Sequence, residues 1–437
     1  MSVSKNRRSF LKATAAAAAT ARFPILGANN RIRTAVIGLG GRGRDHVQFL
    51  SELPGETRIT AICDVNQEAR ERAVAQVEKL TGAKPKEYSD LRAVYDDREV
   101  DAVTVATPNH WHALATIWAC QAGKDVYVEK PACHNVLEGE QMVVAARKHG
   151  RMVQVGSQSR SMEHRRKVIE LLRQGVIGQL YMARGLCFRR RKSIGHTPDE
   201  PVPPGINWDL FLGPAQMKPF SRNKYAYNWH WFWDTGNGDI GNQGVHEMDL
   251  CLWALGRTGW PRTVVSSGGK FAWHDDQETP NAQQAAFDFG DAQLTFEVRN
   301  LPSPSEGGAP TTGSNYVGNI FFGTEGYLVT EWQGFRLYKG DERALVMDEK
   351  APPGEYSATP HLKNFFDAVR SRDAGKLNAD VEVGVAAANY CHLANIAYRV
   401  GRTLRMAQST GRFAGDEEAN AMLTRNYRHP YVVPAAL

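Results

Sequence analysis

From Thr34 onward the chain alternates short unbroken apolar runs with longer stretches in which apolar positions recur every three or four residues. The runs "TAVI", "RITAICDV", "VDAVTVAT", "DVYVEKP" and "MVQVGS" read as strands buried on both faces. Between them "GRDHVQFLSEL", "QEARERAVAQVEKL", "HWHALATIWACQAG" and "VLEGEQMVVAARKHG" carry the helical period. Repeated strand–helix order predicts an α/β fold over residues 30–156: a doubly wound parallel sheet with right-handed crossovers. Past about Ser157 the texture changes. A helix "HRRKVIELLRQGVIG" and a strand "LYMARGLCF" lead into a proline-rich loop and an aromatic segment, "YAYNWHWFW". The runs "TVVSSGGKFAWH", "QAAFDFG", "AQLTFEVRN" and "GNIFFGTEGYLVTEW" then alternate as antiparallel strands do, before two closing helices. Residues 157–437 are therefore expected to form a second, α+β domain.

Length agrees, because 437 residues exceed what one ordinary core organises. Hydrophobic residues at 42%, charged residues at 23% and a net charge of +6 are globular values, and the basic excess is spread thinly. No nucleic-acid partner is implied. The one dense basic run, Arg189 to Lys192, reads as a solvated strand end and receives no role. The six cysteines are scattered singly without metal-ligand spacing, so no metal is predicted. At the N-terminus, "NRRSFLKATAAAAATA" has paired arginines before a mildly apolar, alanine-rich run. Residues 1–29 read as a twin-arginine signal and leader, with cleavage after Ala21. That route moves folded proteins, so a periplasmic protein that acquires its cofactor before export is expected. No other segment approaches about 18 uninterrupted apolar residues, and the mature chain is expected to lack a membrane span.

Candidate chemistry begins at "VIGLGGRGR". The loop Gly38, Leu39, Gly40, Gly41, Arg42 and Gly43 follows a strand and opens a helix, which is the context a dinucleotide fingerprint requires. Gly38 allows the tight turn, Gly40 the close approach of a pyrophosphate, and Gly43 the packing of helix on strand. Asp64, at the end of the second strand, is placed to bind ribose hydroxyls and to repel a 2′-phosphate, favouring NAD. NADP stays open, because Arg42 and Arg44 are placed to pair with a phosphate. Ligands on such sheets bind beyond the strand ends, which puts Thr107, Asn109 and His112 after one strand, and Glu129 and Lys130 after the next, at the crevice. His110 and His112 flank Trp111 as capping or packing residues.

The set "VIGLGGRGR", "ATPNHWHALAT", "GKDVYVEKP", "GNGDIGNQGVHEMD", "GTEGYL" and "HLANIAYRVGR" resembles the Gfo/Idh/MocA family of glucose-fructose oxidoreductase and inositol dehydrogenase over nearly the whole chain. The resemblance implies a Rossmann domain joined to a domain with an open, largely antiparallel sheet, bound NAD(P), sugar or polyol substrates, and a homo-oligomer, dimer or tetramer, built on that sheet. It implies that Lys130 stabilises the reacting oxygen, that His246 is the acid or base, and that Asp249 contacts substrate. Asn242 is a departure, since inositol-dehydrogenase-like members carry aspartate four residues before the histidine. An amide can orient the imidazole but takes up no proton, so His246 is expected to be a weak base. Among the aromatics ahead of the motif, Trp231 is a candidate platform for a sugar face. Two activities are expected on this basis: sugar oxidoreduction with a retained, recycling cofactor, or redox-neutral glycoside cleavage through transient oxidation at ring carbon 3.

Overall fold

The computed structural model describes residues 31–306 and 315–437. The export signal read in residues 1–29 lies outside them. Six parallel strands, β1 (Ile32–Ile37), β2 (Thr57–Cys63), β3 (Lys86–Tyr88), β4 (Ala102–Val105), β5 (Asp125–Val128) and β6 (Val153–Val155), form one sheet in the order β3-β2-β1-β4-β5-β6. The order reverses between β1 and β4, and crossover helices cover both faces. This is the doubly wound arrangement the apolar runs predicted. Strands β4 (Ala-Val-Thr-Val) and β5 (Asp-Val-Tyr-Val) are buried along their whole length, as mostly apolar strands covered on both faces are.

The second sheet has ten strands: β7 (Leu180–Arg189), β8 (Thr263–Gly269), β9 (Ala282–Asp288), β10 (Gln293–Arg299), β11 (Asn315–Gly323), β12 (Gly326–Glu331), β13 (Gly334–Lys339), β14 (Ala344–Lys350), β15 (Leu404–Ala407) and β16 (Arg412–Phe413). Their order is β14-β13-β12-β11-β7-β10-β9-β8-β15-β16, and every pairing is antiparallel except β7 with β10. Helix Gly244–Leu255 and helix Val381–Val400 pack on one face through Met248, Leu252, Leu393 and Ala397.

The two domains interlock. Leu362, Phe365 and Phe366 of helix Thr359–Ser371 enter the core around β1, while Val381, Val385 and the tail residues Tyr431 and Val433 enter the one around β4 and β5. Residues 190–235 reach the other way. Val65 and Asn66, after β2, bond to Asn207 and pair with Ile206, and Trp111 donates to the carbonyl of Leu210. Sequence continuity therefore puts the boundary near residue 157, but later segments return to complete the first domain. All six cysteines are buried free thiols. No helix among the described residues is long and apolar enough to cross a membrane.

Candidate active site

The carboxyl ends of β1, β2, β4 and β5 open into a cavity of about 760 Å³. One end is lined by Gly38, Gly40, Gly41 and Asp64, the other by Lys130, Arg189, Asn242 and Gln243, with Gln158 and the bonded pair of Arg42 and Glu129 also in the lining. Tyr225, Tyr227, Trp229 and His230 form one wall, which runs from Asn66, a donor to the Tyr225 hydroxyl, to Asn242, a donor to that of Tyr227.

The glycines do three different things. Gly38 sits at φ +85°, and a Cβ there would stand 2.6 Å from the backbone of Ala106. A Cβ on Gly43 would stand 1.8 Å from the carbonyl oxygen of Gly38, so helix Gly41–Ser51 approaches the turn this closely only because residue 43 has no side chain. Around Gly40 a Cβ would meet nothing within 4 Å; the space it leaves is cavity. That helix has no side-chain cap, so its first amides are available to an anion. Leu39 is buried in the core below the loop, and its backbone N–H donates to Asp64 at 2.6 Å. The other Asp64 oxygen accepts from the N–H of Asn66 at 2.8 Å. Burial raises the pKa of Asp64 although both amides oppose it. Asn66, not Asp64, caps the next helix. These features fit a dinucleotide: an uncapped helix start, a glycine whose missing side chain leaves open cavity, and a carboxylate at the second strand end.

The remaining crevice residues are more committed than their positions suggested. Arg42 lines the cavity, yet its Nε donates to Glu129 at 2.7 Å, where His46 shares the same oxygen at 2.9 Å. Part of its charge is thus answered inside the protein, and its remaining N–H groups are what it has left for a cofactor phosphate. Burial alone would raise the Glu129 pKa, but the Arg42 charge outweighs it and holds the carboxylate well below its usual range. His112 places Nδ1 2.7 Å from the carbonyl of Pro131 and Nε2 2.8 Å from that of Thr107, bridging the β4 and β5 loops. Asn109 donates to Asn237 across the domain interface at 3.0 Å. Thr107 lines the cavity, and its hydroxyl is buried without a partner.

Lys130 is the chemically distinctive group. Its Nζ donates to the backbone oxygen of Asn242 at 3.1 Å and to that residue's side-chain oxygen at 3.4 Å. Burial, helped by the charges of Arg42, Arg189 and Arg191 and opposed by Glu129, lowers its pKa to about 8. His246, in the first turn of helix Gly244–Leu255, stands behind the wall made by Asn242 and Gln243. Its Nδ1 is buried and unpartnered, and its ring meets Trp332 edge-on at 6.2 Å. Burial and then the nearby Lys130 charge lower its pKa to about 3, so the imidazole is neutral.

Three expectations need correction. Asn242 does not orient His246: its oxygen receives Lys130, and its amide donates to the Tyr227 hydroxyl at 3.1 Å and to Asp239 at 3.2 Å. Asp249 is not offered to a substrate, because both carboxylate oxygens accept from Arg160 at 2.7–3.0 Å, deep in the protein. Trp231 is buried behind the wall with Arg191 over its ring at 5.3 Å; the exposed faces belong to its neighbours Tyr227 and Trp229. Sequence reasoning missed Asp239, which collects Arg191, Asn300 and Asn242, and Gln243, which holds Arg189. Both lie in "GDIGNQ" beside the histidine, so a reading of the whole motif would have found them.

Comparison with known proteins places this geometry. Residues 32–157 match the sequence model described as "Oxidoreductase family, NAD-binding Rossmann fold", and residues 189–275 and 336–433 match its companion, "Oxidoreductase family, C-terminal alpha/beta domain". The chain belongs to the Gfo/Idh/MocA oxidoreductase family. Every cavity residue from Gly38 to Lys130 falls in the first match, and Arg189, Asn242 and His246 in the second. Over 219 residues the chain is 30% identical to a glycosyl hydrolase family 109 protein of Saccharopolyspora erythraea, covering 49% of this chain and 42% of that one. Over 176 residues it is 27% identical to an inositol 2-dehydrogenase of Salmonella paratyphi B, covering 40% and 50%. The matched stretches thus span about half the length of these curated relatives. The solved structure of a levoglucosan dehydrogenase in complex with NADH covers 87% of this chain and 100% of its own at a TM-score of 0.67 and 17% identity, a likeness of fold.

Proposed function

We propose that this chain is an NAD-dependent oxidoreductase of sugars or polyols in which Lys130 exchanges the proton of the reacting hydroxyl. The observation that carries the reading is the Lys130 amine, with its pKa at about 8, in the same cavity as the glycine loop and Asp64. Bound NAD would lie with its phosphates at Gly40 and Gly41 and its ribose at Asp64, and supplies the hydride acceptor. A pKa near working pH lets the neutral amine take a proton and the ammonium return it. The two oxygens of Asn242 hold Nζ in place and favour its charged form. His246 is neutral, buried behind Asn242 and Gln243 and outside the cavity lining, so it is not the principal base in this reading. This revises the division of labour that the family resemblance implied. Tyr227 and Trp229 offer ring faces to sugar C–H groups, and the Asp64 carboxylate favours NAD over NADP.

The inositol dehydrogenase relative and the levoglucosan dehydrogenase fold support the substrate class. The glycosyl hydrolase relative supports a second reading, redox-neutral cleavage of a glycoside. Export through the paired arginines Arg7 and Arg8 to the periplasm, retention and recycling of the cofactor, and a homo-oligomer on the open sheet belong to the same proposal. One experiment separates the readings. The purified protein is denatured, the released nucleotide is identified by mass spectrometry, and intact protein is incubated with pairs of sugars and with aryl glycosides. NAD with two exchanged sugar products supports oxidoreduction; aglycone release without net reduced nucleotide supports cleavage; a folded protein that takes up neither dinucleotide overturns both.

A further inference from the structure

Arg189 ends β7 and lines the cavity at the Lys130 end. Along the strand Gly185, Cys187 and Arg189 share one face. A Cβ on Gly185 would lie 3.5 Å from that of Glu247, so this face looks toward helix Gly244–Leu255 and the site. The guanidinium makes one side-chain hydrogen bond, from Nη1 to the side-chain oxygen of Gln243, a neutral amide.

The neighbouring charges leave Arg189 without a counter-ion. Arg42 is answered by Glu129. Arg191 is answered by Asp239 through bonds of 2.8 and 3.0 Å, and Asn300 and Asn242 take the remaining capacity of that carboxylate. Glu247 lies behind Gln243, lines no part of the cavity and forms no ion pair with Arg189; burial pushes its pKa up to about 8. Of the other lining carboxylates, Asp45 stands 3.8 Å from Arg42, Asp64 accepts from the amides of Leu39 and Asn66, and Asp90 pairs with Arg92. Residues 1–30 and 307–314 contain no aspartate or glutamate. Two cations, Lys130 and Arg189, therefore face one region that holds no unspent carboxylate. Beside them the Oε1 of Gln158 is buried without a partner, an acceptor for a sugar hydroxyl.

We propose that Arg189 is a specificity-determining residue that pairs with a carboxylate on the substrate, so that the sugar this site takes is an acidic one, a uronate or aldonate. The proposal rests on the sugar-oxidoreductase reading and names its substrate class. A planar guanidinium matches a carboxylate with two parallel hydrogen bonds, and in a partly desolvated cavity the charge is worth more than at the surface.

The test is calorimetric binding to the NAD-loaded protein of glucuronate, galacturonate and gluconate against glucose and galactose, with glucose 6-phosphate as a second kind of anion. Turnover of the neutral sugars is followed alongside. At least one carboxylated sugar is expected to bind about tenfold or more tightly than its neutral counterpart, with Arg189→Gln bringing the ratio to within about twofold and Arg189→Lys keeping part of it. Equal binding of acidic and neutral sugars overturns the role of Arg189 while neutral-sugar turnover leaves the oxidoreductase intact. An acid preference that survives in Arg189→Gln also overturns it. Preference for the phosphate alone overturns the carboxylate assignment. A protein that neither binds nor turns over any of these sugars sinks the underlying sugar reading together with the proposal.

Discussion

The Nζ of Lys130 stands 3.1 Å from the backbone oxygen of Asn242 and 3.4 Å from its side-chain oxygen, a contact between residues 112 positions apart that joins the two domains at the cavity. It ties the lysine of the first domain to the histidine motif of the second without involving the histidine. Asn242 therefore governs the amine. Replacing it by aspartate puts a carboxylate beside the ammonium and favours the charged form, so Asn242→Asp is expected to move the Lys130 titration above pH 8 by about one to three pH units. The pH dependence of kcat/KM reports this directly. An unchanged profile would mean that residue 242 does not control the lysine.

The same titration fixes the shape of the profile. Oxidation needs the neutral amine, so its rate is expected to rise as pH climbs through about 8, and the reductive direction to fall through the same range. Lys130→Met is expected to remove that limb and to cost about a hundred- to ten-thousandfold in kcat while NAD still binds. A variant that keeps the limb would assign the proton exchange elsewhere.

The glycine loop separates folding from cofactor binding. Ala at position 40 points into open cavity, so Gly40→Ala is expected to leave the melting temperature of nucleotide-free protein unchanged and to weaken NAD binding about tenfold or more. Ala at position 43 collides with the Gly38 carbonyl, and Gly43→Ala is expected to destabilise the apoprotein itself by about 1–3 kcal/mol. Thermal melts with and without NAD distinguish the two. If Gly40→Ala binds NAD normally, the phosphates lie elsewhere.

Asp249 offers a contrast between structure and catalysis. Removing one member of its buried pair with Arg160 leaves an uncompensated charge, so Asp249→Ala is expected to cost about 3–5 kcal/mol of stability. A substrate contact would instead raise KM in a protein that melts normally, and that outcome would restore the role implied by the family resemblance.

These cases show what the sequence made legible. Strands β4 and β5 could be read because a strand buried on both faces needs a mostly apolar run, and the roles of Gly38 and Gly43 because a turn and a helix packed this closely exclude side chains. Pairing across long separations left no local trace. Nothing near Asp249 announces Arg160, 89 positions earlier, and Asn242 was read against its neighbour His246 when its partner is Lys130. Arg189 was hidden in a basic run, because charge composition does not say which arginine has a counter-ion. The return of helix Thr359–Ser371 to the first domain is likewise a property of chain path, which helical periodicity does not encode.

The geometry meets its most direct test in a crystal structure of the protein with NAD bound. The expected result is a pyrophosphate on the amides of Gly40 and Gly41, a ribose on Asp64, and a nicotinamide ring against the Lys130 amine. A dinucleotide lying outside this cavity, or a ring turned away from Lys130, would contradict it.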